Sequence, residues 1–329
     1  MDLRDLDFKY PETLVATEPS DFSRVMWVDS HGIPSEVSID ELLGKFSGGD
    51  VLILNNSRVL KRRIFSQEGF EILFIKELKE NNWEVLFPAT RMKSAKLLLP
   101  EQVELKFVKG GRPQVVEVNK NLDDNYFEKY GELPLPPYIQ KARQERHQKS
   151  EDEKWYQTAW AKEPGSLASP TASLHFKNHH LEILKKKSVK IVYVTLHVGL
   201  GTFLPISAVN LKDHKMHEEE FEVTKEAWNE IQSAKTNGKN IWALGTTSVR
   251  AVESFAYKQI EKSTTDLFII PGFEFKVVTR LLTNFHQPQT TLLALVSAFS
   301  NGRWQKCYEW AIENKFRLFS YGDLTAWEN

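Results

Sequence analysis

The chain has 329 residues, of which 41% are hydrophobic and 26% charged, a composition typical of a globular protein with one large or two ordinary domains. Its 43 lysines and arginines against 44 acidic residues argue against a uniformly basic nucleic-acid binder and leave room only for a local basic patch. The single cysteine, Cys307, excludes a disulfide framework or a cysteine zinc cluster within one chain.

Composition also bears on location. The polar, acidic N-terminus does not have the pattern of a signal peptide, and no apolar run reaches the roughly 18 residues of a membrane span. Cys307 lies in a predicted helix over 304–315, which favours a core thiol over a nucleophile. We therefore expect a protein of the reducing cytoplasm without contact to a membrane.

The first 60 residues have a coarse strand-rich pattern. An apolar run over 50–54 follows two glycines and predicts a strand, which ends at an Asn-Asn-Ser-Arg turn at 55–58. Turns at the carboxyl ends of strands commonly contact ligands, so this turn is a candidate site segment.

Short alternating runs separated by turn residues follow between residues 62 and 130. They lie at 71–75, 83–87, 104–108 and 114–118. Strands of this length and spacing predict a small barrel or a curled sheet.

The next segment is a connector. The Leu-Pro-Leu-Pro-Pro-Tyr sequence at 133–138 predicts extended, polyproline-like chain and no helix. Residues 139–154 are rich in Lys, Arg, Gln and Glu and predict a charged helical stretch. It is either a solvated helix or loop, or a basic surface that faces RNA.

Helices and strands alternate after residue 165. The predicted elements are helix 172–186, strand 189–196, helix 224–236, strand 240–244, helix 248–262, strand 266–270, helix 288–299 and helix 304–315. This order predicts an α/β arrangement with largely parallel strands. We therefore expect a mixed α/β main domain, discontinuous over 1–61 and 156–329, with a small inserted β-barrel domain at 62–155.

The end of strand 189–196 is the most informative point of the chain. A buried run over 191–194 leads to His197, Gly199 and Gly201. A core strand needs neither a histidine nor two glycines at its end, whereas a ligand site uses both, because glycine lets backbone approach a ligand closely.

A second turn, over 244–250, joins a strand to a helix start through Gly245, Thr246, Thr247 and Ser248. Free backbone N–H groups and the helix dipole favour an anion there, and Arg250 could add a charged fork. The Walker pattern is absent, since no lysine precedes the serine. Ordinary helix capping explains the segment equally well.

The run over 213–222 contains His214, His217 and a cluster of carboxylates. Two histidines three residues apart indicate a metal site, an acid–base or amine-recognition site, or a charged solvated edge. The strand-like alternation over 220–223 argues against a metal, because ligands at this spacing need a helix or a tight turn.

Two further segments place polar groups near element ends. Thr171 and His175 lie at a predicted helix start, where a histidine is otherwise an ordinary core or surface residue. Asn284 and His286 follow a strand-like run and fit a pocket better than a core.

Segments of this chain resemble, in the same order along nearly its whole length, those of one enzyme family. The similar segments are Leu-His-Val-Gly-Leu-Gly-Thr-Phe at 196–203, Lys-Met-His at 215–217, Leu-Gly-Thr-Thr-Ser-Val-Arg at 244–250, Asp-Leu-Phe-Ile at 266–269, Leu-Thr-Asn-Phe-His at 282–286, Phe-Ser-Tyr-Gly-Asp at 319–323, and the stretches 50–59, 131–139, 156–158 and 164–166. The family is that of the S-adenosylmethionine:tRNA ribosyltransferase-isomerases of queuosine biosynthesis. No single segment decides the resemblance, but the ordered set is specific.

The chain departs from the family pattern at several positions. Asn56 and Ser57 stand where the family usually has Asp and Thr, and Ser169 and Ser173 replace an Ala and a Gly. Gln287 replaces a usual Leu, a Gly-Gly turn is missing near 65–70, and the tail after 323 diverges. The motif histidines and arginine are intact.

The resemblance implies a reaction. The ribosyl part of S-adenosylmethionine is transferred to the aminomethyl group of 7-aminomethyl-7-deazaguanine in a tRNA anticodon and isomerised, which gives epoxyqueuosine in tRNA with release of adenine and methionine. S-adenosylmethionine is then a consumed substrate, and neither a cofactor nor a metal is expected. We also expect a monomer.

The resemblance also suggests site residues. His197 and His217 are the acid–base candidates, and Glu219 could orient His217 or hold the substrate amine. The expected substrate-binding residues are Thr171, His175, Gly199, Gly201, Thr202, Gly245, Thr246, Thr247, Ser248, Arg250, Asn284, His286, Tyr321 and Asp323. Basic clusters at 58–63 and 185–187 are candidates for tRNA phosphate contacts, or are solvated surface charges.

Two alternatives stay open at this point. One is an inactive relative that binds tRNA or a nucleoside without turnover, suggested by Asn56, Ser173 and the altered tail. The other is a metal-dependent hydrolase built on His214, His217 and nearby carboxylates.

Overall fold

Two large β-sheets with separate hydrophobic cores organise the chain in the computed structural model, which describes residues 2–79, 81–92, 96–202, 206, 208 and 210–328. The strands in chain order are β1 (Arg24–Val28), β2 (Pro34–Ser38), β3 (Val51–Asn55), β4 (Ser57–Val59), β5 (Arg63–Phe65), β6 (Glu71–Glu77), β7 (Asn82–Leu86), β8 (Lys96–Leu99), β9 (Val103–Lys109), β10 (Gln114–Val118), β11 (Glu163–Ser166), β12 (Lys190–Leu196), β13 (Glu219–Glu222), β14 (Ile241–Leu244), β15 (Lys262–Thr265), β16 (Arg280–Asn284) and β17 (Leu324–Glu328). The α-helices are α1 (Ile39–Gly44), α2 (Asp124–Tyr130), α3 (Pro137–Arg143), α4 (Asp152–Trp155), α5 (Asn178–Lys186), α6 (Lys225–Thr236), α7 (Thr246–Lys258), α8 (Thr291–Phe299) and α9 (Trp304–Glu313).

The larger sheet has the strand order β15-β13-β12-β3-β14-β16-β17-β1-β2. Its centre, β12-β3-β14-β16, is parallel, and β17 pairs in parallel with β1. The remaining four pairings are antiparallel. The prediction of largely parallel strands therefore holds only for the centre, where helices cover both faces.

Burial on both faces explains the composition of β3, whose five residues are all buried. Val51 and Ile53 belong to one core, and Leu52 and Leu54 to the core on the opposite face. Successive side chains of a strand point to opposite faces, so a strand between two helix layers must be apolar throughout.

The second sheet has six antiparallel strands in the order β5-β6-β7-β10-β9-β8. It encloses its own core, to which α2 contributes Tyr126 and Phe127. The backbone N–H of Gln67, after β5, donates to the carbonyl of Leu98 in β8 at 2.7 Å and nearly closes the ring of strands. The predicted small barrel is confirmed. The boundaries at 61/62 and 155/156 stay a prediction.

Most strands and helices lie where the sequence predicted them, but four segments differ. The charged stretch 139–154 is helical only in α3 and α4, which leave residues 144–151 outside any helix. Residues 266–270 form no strand. The strand in this part of the chain is the polar β15, which ends just before them at Thr265. The predicted helix 172–186 is interrupted, since extended backbone at Phe176 and Lys177 separates a 3-10 turn from α5 and buries the Phe176 ring. Pro137 begins α3, a position where proline loses no hydrogen bond, so the predicted extended connector 133–138 ends earlier.

Candidate active site

The main pocket lies at the carboxyl ends of the parallel strands of the larger sheet. β14 ends before Gly245, and β16 ends at Asn284, and both residues line a cavity of about 170 Å³. Gly201, in the loop after β12, lines it as well. Ligands of open α/β sheets bind at this edge, because loops and helix N-termini converge there.

The structure divides the predicted site residues into two groups. The pocket lining includes Thr171, Gly201, Gly245, Thr246, Thr247, Asn284 and His286. The residues outside the lining are His175, His197, Gly199, His217, Glu219, Ser248, Arg250, Tyr321 and Asp323. The side chain of Thr202 and the residue Phe203 lie outside the described part of the chain.

A chain of hydrogen bonds runs from the pocket wall to Ser23. Thr171 Oγ1 donates to Asn284 Oδ1 at 2.9 Å, and Asn284 Nδ2 donates to His175 Nε2 at 3.1 Å. His175 Nε2 is therefore an acceptor, so Nδ1 carries the proton and donates to Ser23 Oγ at 2.7 Å. Desolvation, and then the nearby Arg317 charge, lower the pKa of His175 to about 4 and keep it neutral. His175 thus positions Asn284 and stands behind the pocket.

His286 lies in the pocket wall as a neutral ring. Desolvation lowers its pKa to about 3, its Nε2 is 2.9 Å from Thr283 Oγ1, and its backbone N–H donates to Tyr308 Oη at 3.1 Å. Nδ1 has no hydrogen-bond partner among the residues that the structure describes. This nitrogen is the polar atom that His286 can offer to a ligand.

Glu219 and Arg250 form a buried ion pair next to the pocket. Glu219 Oε2 accepts from Arg250 Nη1, and Glu219 Oε1 accepts from the N–H of Gly199 at 2.8 Å. Arg250 Nε donates to the carbonyl of Leu267 at 3.1 Å. The carboxylate does not bond to His217 within the described chain, and the guanidinium charge is neutralised inside the protein. A contact of Glu219 with the substrate amine and of Arg250 with an anion stays a prediction.

His217 borders the pocket without lining it. A Cβ added to Gly201 would lie 3.8 Å from His217 Cβ and 3.9 Å from its Cδ2. The half-buried His217 side chain therefore lies next to Gly201, which lines the cavity. Because Gly201 has no side chain, the space between His217 and the cavity stays open.

His197 faces away from the pocket. Its Nδ1 is 2.7 Å from Ser57 Oγ, and a Cβ on Gly165 would lie 2.7 Å from the same nitrogen. Gly165 has a φ of 155°, a conformation that favours glycine, and its lack of a side chain also leaves room for the His197 ring. Burial lowers the pKa of His197. The hydroxyl at position 57, a Thr in the family pattern, thus contacts this histidine.

Three predicted binding residues hold loops in place. Tyr321 Oη donates to Asp152 at 3.2 Å, Ser248 Oγ donates to the carbonyl of Leu244 at 2.8 Å, and Asp323 accepts from the N–H of Arg317 at 2.8 Å. Tyr321 and Asp323 are 3% and 1% exposed, so buried partners occupy their polar atoms. A substrate contact of these side chains stays a prediction.

Several residues that line the pocket were not predicted as site residues from the sequence. They are Ser169, Thr290 and Thr291 at the N-terminus of α8, Tyr138, and Phe319 and Ser320 in the last loop. Tyr138 Oη donates to Ser320 Oγ and accepts from its N–H at 3.0 Å, which ties α3 to the last loop. Thr290 accepts from Leu293 as a helix cap, a pattern that the sequence did show.

The basic cluster at 58–63 is largely neutralised. Its four side chains pair with carboxylates, as Arg58–Glu128, Lys61–Glu153, Arg62–Asp124 and Arg63–Glu132. In the second cluster Lys185 pairs with Glu182, and Lys187 Nζ donates to the carbonyls of Leu43 and Gly44 at the end of α1. Both clusters present less positive charge than the sequence suggested.

The arrangement does not favour the metal-site alternative. Within the described ranges no group of three or more His, Cys, Asp or Glu side chains is placed to hold a metal ion. The His214 ring packs edge-on against Phe268, with centroids 5.2 Å apart. Cys307 is buried, and burial raises its pKa to about 11, as expected for a core thiol.

No helix in the described part of the chain has the length and apolar character needed to cross a membrane.

Known proteins match the chain along its whole length. The model of the family described as Queuosine biosynthesis protein matches residues 3–326. Curated proteins named S-adenosylmethionine:tRNA ribosyltransferase-isomerase from Halothermothrix orenii, Sulfurihydrogenibium sp. and Staphylococcus epidermidis are 40%, 38% and 38% identical, each match covering 98% of both chains.

Among solved structures, a crystal structure of S-adenosylmethionine tRNA ribosyltransferase from Thermotoga maritima is 29% identical. It matches with a TM-score of 0.56, covering 98% of this chain and 99% of that one. The match in sequence and in fold, over both the barrel and the larger sheet, shows that the chain belongs to the queuosine biosynthesis protein family.

Proposed function

We propose that this protein is an S-adenosylmethionine:tRNA ribosyltransferase-isomerase. One observation carries the proposal: the pocket gathers residues of the family-like segments 244–250, 282–286 and 319–323, which are distant in sequence, at one edge of the sheet. Relatives with this name match over 98% of their length and 98% of this chain.

The proposed substrates are S-adenosylmethionine and a tRNA that carries 7-aminomethyl-7-deazaguanine. The sulfonium acidifies the neighbouring ribose C5′ hydrogens, so a base removes one of them, adenine leaves, and the amine attacks C1′ in its neutral form. The products are epoxyqueuosine in tRNA, adenine and methionine. We further propose that the protein acts as a monomer in the cytoplasm and needs no cofactor.

The polar pocket residues suit binding more than proton transfer. With a pKa of about 4 and about 3, His175 and His286 are too weakly basic to accept a carbon-bound proton near neutral pH. They and Asn284 offer neutral hydrogen-bonding atoms. For acid–base chemistry His217 is the better candidate, since it stands beside Gly201, whereas the His197 ring faces Ser57 and Gly165.

The decisive experiment uses the intact protein with S-adenosylmethionine and tRNA bearing the aminomethyl base. We expect release of free adenine together with a nucleoside of epoxyqueuosine mass after RNA digestion. Binding of this tRNA without adenine release would support the inactive-relative alternative and contradict the proposed activity.

Replacing His217 by Ala is expected to slow adenine release by about 10²-fold or more, the usual contribution of a general acid or base. His197→Ala should slow it less, because that ring lies outside the pocket lining. His214→Ala, a change of the same type three residues away, is the control and should leave the rate within about two-fold. Single-turnover rates with folded variants measure all three.

Two outcomes would contradict this ranking. Full activity of His217→Ala would remove His217 from the chemistry. An equally large loss in His214→Ala would indicate that the two histidines act as a pair and would revive the metal-site alternative.

A further inference from the structure

Two helix N-termini point into the same pocket. Thr246 and Thr247, from the first turn of α7, and Thr291 and Leu292, from the first turn of α8, all line the cavity. The first N–H groups of a helix have no partner within the helix, and the macrodipole gives that end a positive potential. Two such ends facing one cavity favour a bound anion.

Capping side chains leave most of these N–H groups available. α7 begins after Gly245, which has a φ of 92° and offers no side chain to cap the helix. In α8 the Thr290 hydroxyl accepts from Leu293 only, which leaves the N–H groups of Thr291 and Leu292 without a partner among the described residues.

Two hydroxyl groups at the same cavity are also unpartnered. Ser169 is 7% exposed, and neither its Oγ nor Thr247 Oγ1 has a hydrogen-bond partner within the described chain. Leaving a buried hydroxyl unpaired destabilises a protein, so such groups are usually satisfied by a ligand or by water. Both residues line the pocket.

The lining of the pocket bears on which anion binds there. None of the described lining residues is Asp, Glu, Lys or Arg, and Arg250, in α7, is neutralised by Glu219. No acidic group therefore repels a carboxylate here. A backbone phosphate of tRNA also carries one negative charge, so the size of the group that bears the charge distinguishes the two anions. A cavity of about 170 Å³ admits the end of a small molecule, whereas a backbone phosphate has a ribose on either side.

We propose that the first turns of α7 and α8, together with the hydroxyls of Ser169 and Thr247, bind the carboxylate of the methionyl part of S-adenosylmethionine. This assignment rests on the proposed function, because it takes S-adenosylmethionine as the substrate. It places the methionyl carboxylate at the first turns of α7 and α8, in the cavity that Gly201 also lines.

The test compares S-adenosylmethionine with its decarboxylated form, which keeps the sulfonium and the amine. Calorimetric titration without tRNA measures both ligands. The wild type is expected to bind the carboxylate form about ten-fold more tightly or better, since a hydrogen bond to a charged group contributes about 1.5–3 kcal/mol. In Ser169→Ala and Thr247→Val this preference should fall by about ten-fold, with the decarboxylated ligand little affected.

Ser173→Ala is the matched control. Ser173 is also buried and has an unpartnered hydroxyl in the described chain, but it does not line the pocket. It should keep the wild-type preference. Thermal unfolding of each variant identifies losses that come from misfolding, and if Thr247→Val does not fold, Thr247→Ala takes its place.

Three results would overturn the assignment. They are equal binding of the two ligands by the wild type, an unchanged preference in Ser169→Ala and Thr247→Val, and displacement of S-adenosylmethionine by inorganic phosphate but not by L-methionine. The last result would assign the site to a tRNA phosphate. Adenine release remains a separate readout: activity without a carboxylate preference refutes only this subsite, and a preference without adenine release refutes only the proposed function.

Discussion

Replacing Arg250 by Met is expected to lower the free energy of unfolding by about 3–5 kcal/mol, because it leaves the Glu219 carboxylate buried without its partner. Arg250 and Glu219 are 7% and 4% exposed, so water cannot replace the lost guanidinium. The same change removes the hydrogen bond from Arg250 Nε to the carbonyl of Leu267. Urea denaturation followed by circular dichroism measures the effect.

The control adds Glu219→Gln to Arg250→Met. Removing the second charge as well abolishes the uncompensated carboxylate, and the amide can still accept from the N–H of Gly199. We expect the double variant to regain at least half of the loss. A single variant within about 1 kcal/mol of the wild type would mean that Glu219 reaches solvent in solution and would refute the buried pair.

Acid is expected to destabilise the protein steeply between pH 6.5 and about 3. In the unfolded chain the imidazoles of His175 and His286 titrate near their ordinary pKa of 6.5, whereas in the folded protein desolvation lowers the pKa to about 4 and about 3. Between these values the unfolded chain binds more protons, so stability is complete above pH 6.5 and is lost as the pH falls. The shift corresponds to about 3 kcal/mol for His175 and about 5 kcal/mol for His286.

Thermal unfolding as a function of pH measures this loss, and His286→Gln identifies its source. The amide keeps a polar atom near Thr283 Oγ1 but does not titrate, so the variant should show a shallower decline below pH 6.5 than the wild type. His31→Gln, at an exposed histidine, is the control and should follow the wild-type profile. Parallel profiles for wild type and His286→Gln would contradict a neutral, desolvated His286.

Local patterns located most elements. The sequence predicted seven of the strands, because the alternation of side chains in a strand is visible among neighbouring residues. These are the apolar runs at β3, β12 and β14 and the alternating runs at β6, β7, β9 and β10. β15 was missed because its Lys-Ser-Thr-Thr sequence has no apolar alternation, and pairing with β13 holds it as the edge of the sheet. The helix over 172–186 was overextended because only tertiary packing demands that Phe176 turn inward.

Side-chain roles were harder to predict than elements. Arg250, Tyr321 and Asp323 stand in family-like motifs, yet each is committed to a buried internal partner. The partners of Arg250 and Tyr321 lie 31 and 169 residues away, and hydrogen bonding over such separations leaves no periodic signal. Ser169, in contrast, is a departure from the family pattern and proved to line the pocket.

The sequence by itself determined the family, the α/β class with an added barrel, and the segments from which the pocket is built, because each depends on short-range pattern or on ordered motifs. Only the tertiary structure decided which of those segments share one cavity, that His286 lines it while His197 contacts Ser57, and that the first turns of α7 and α8 line the same cavity. The physical reason is that burial, hydrogen-bond partners and helix direction are set by packing among elements that lie far apart along the chain.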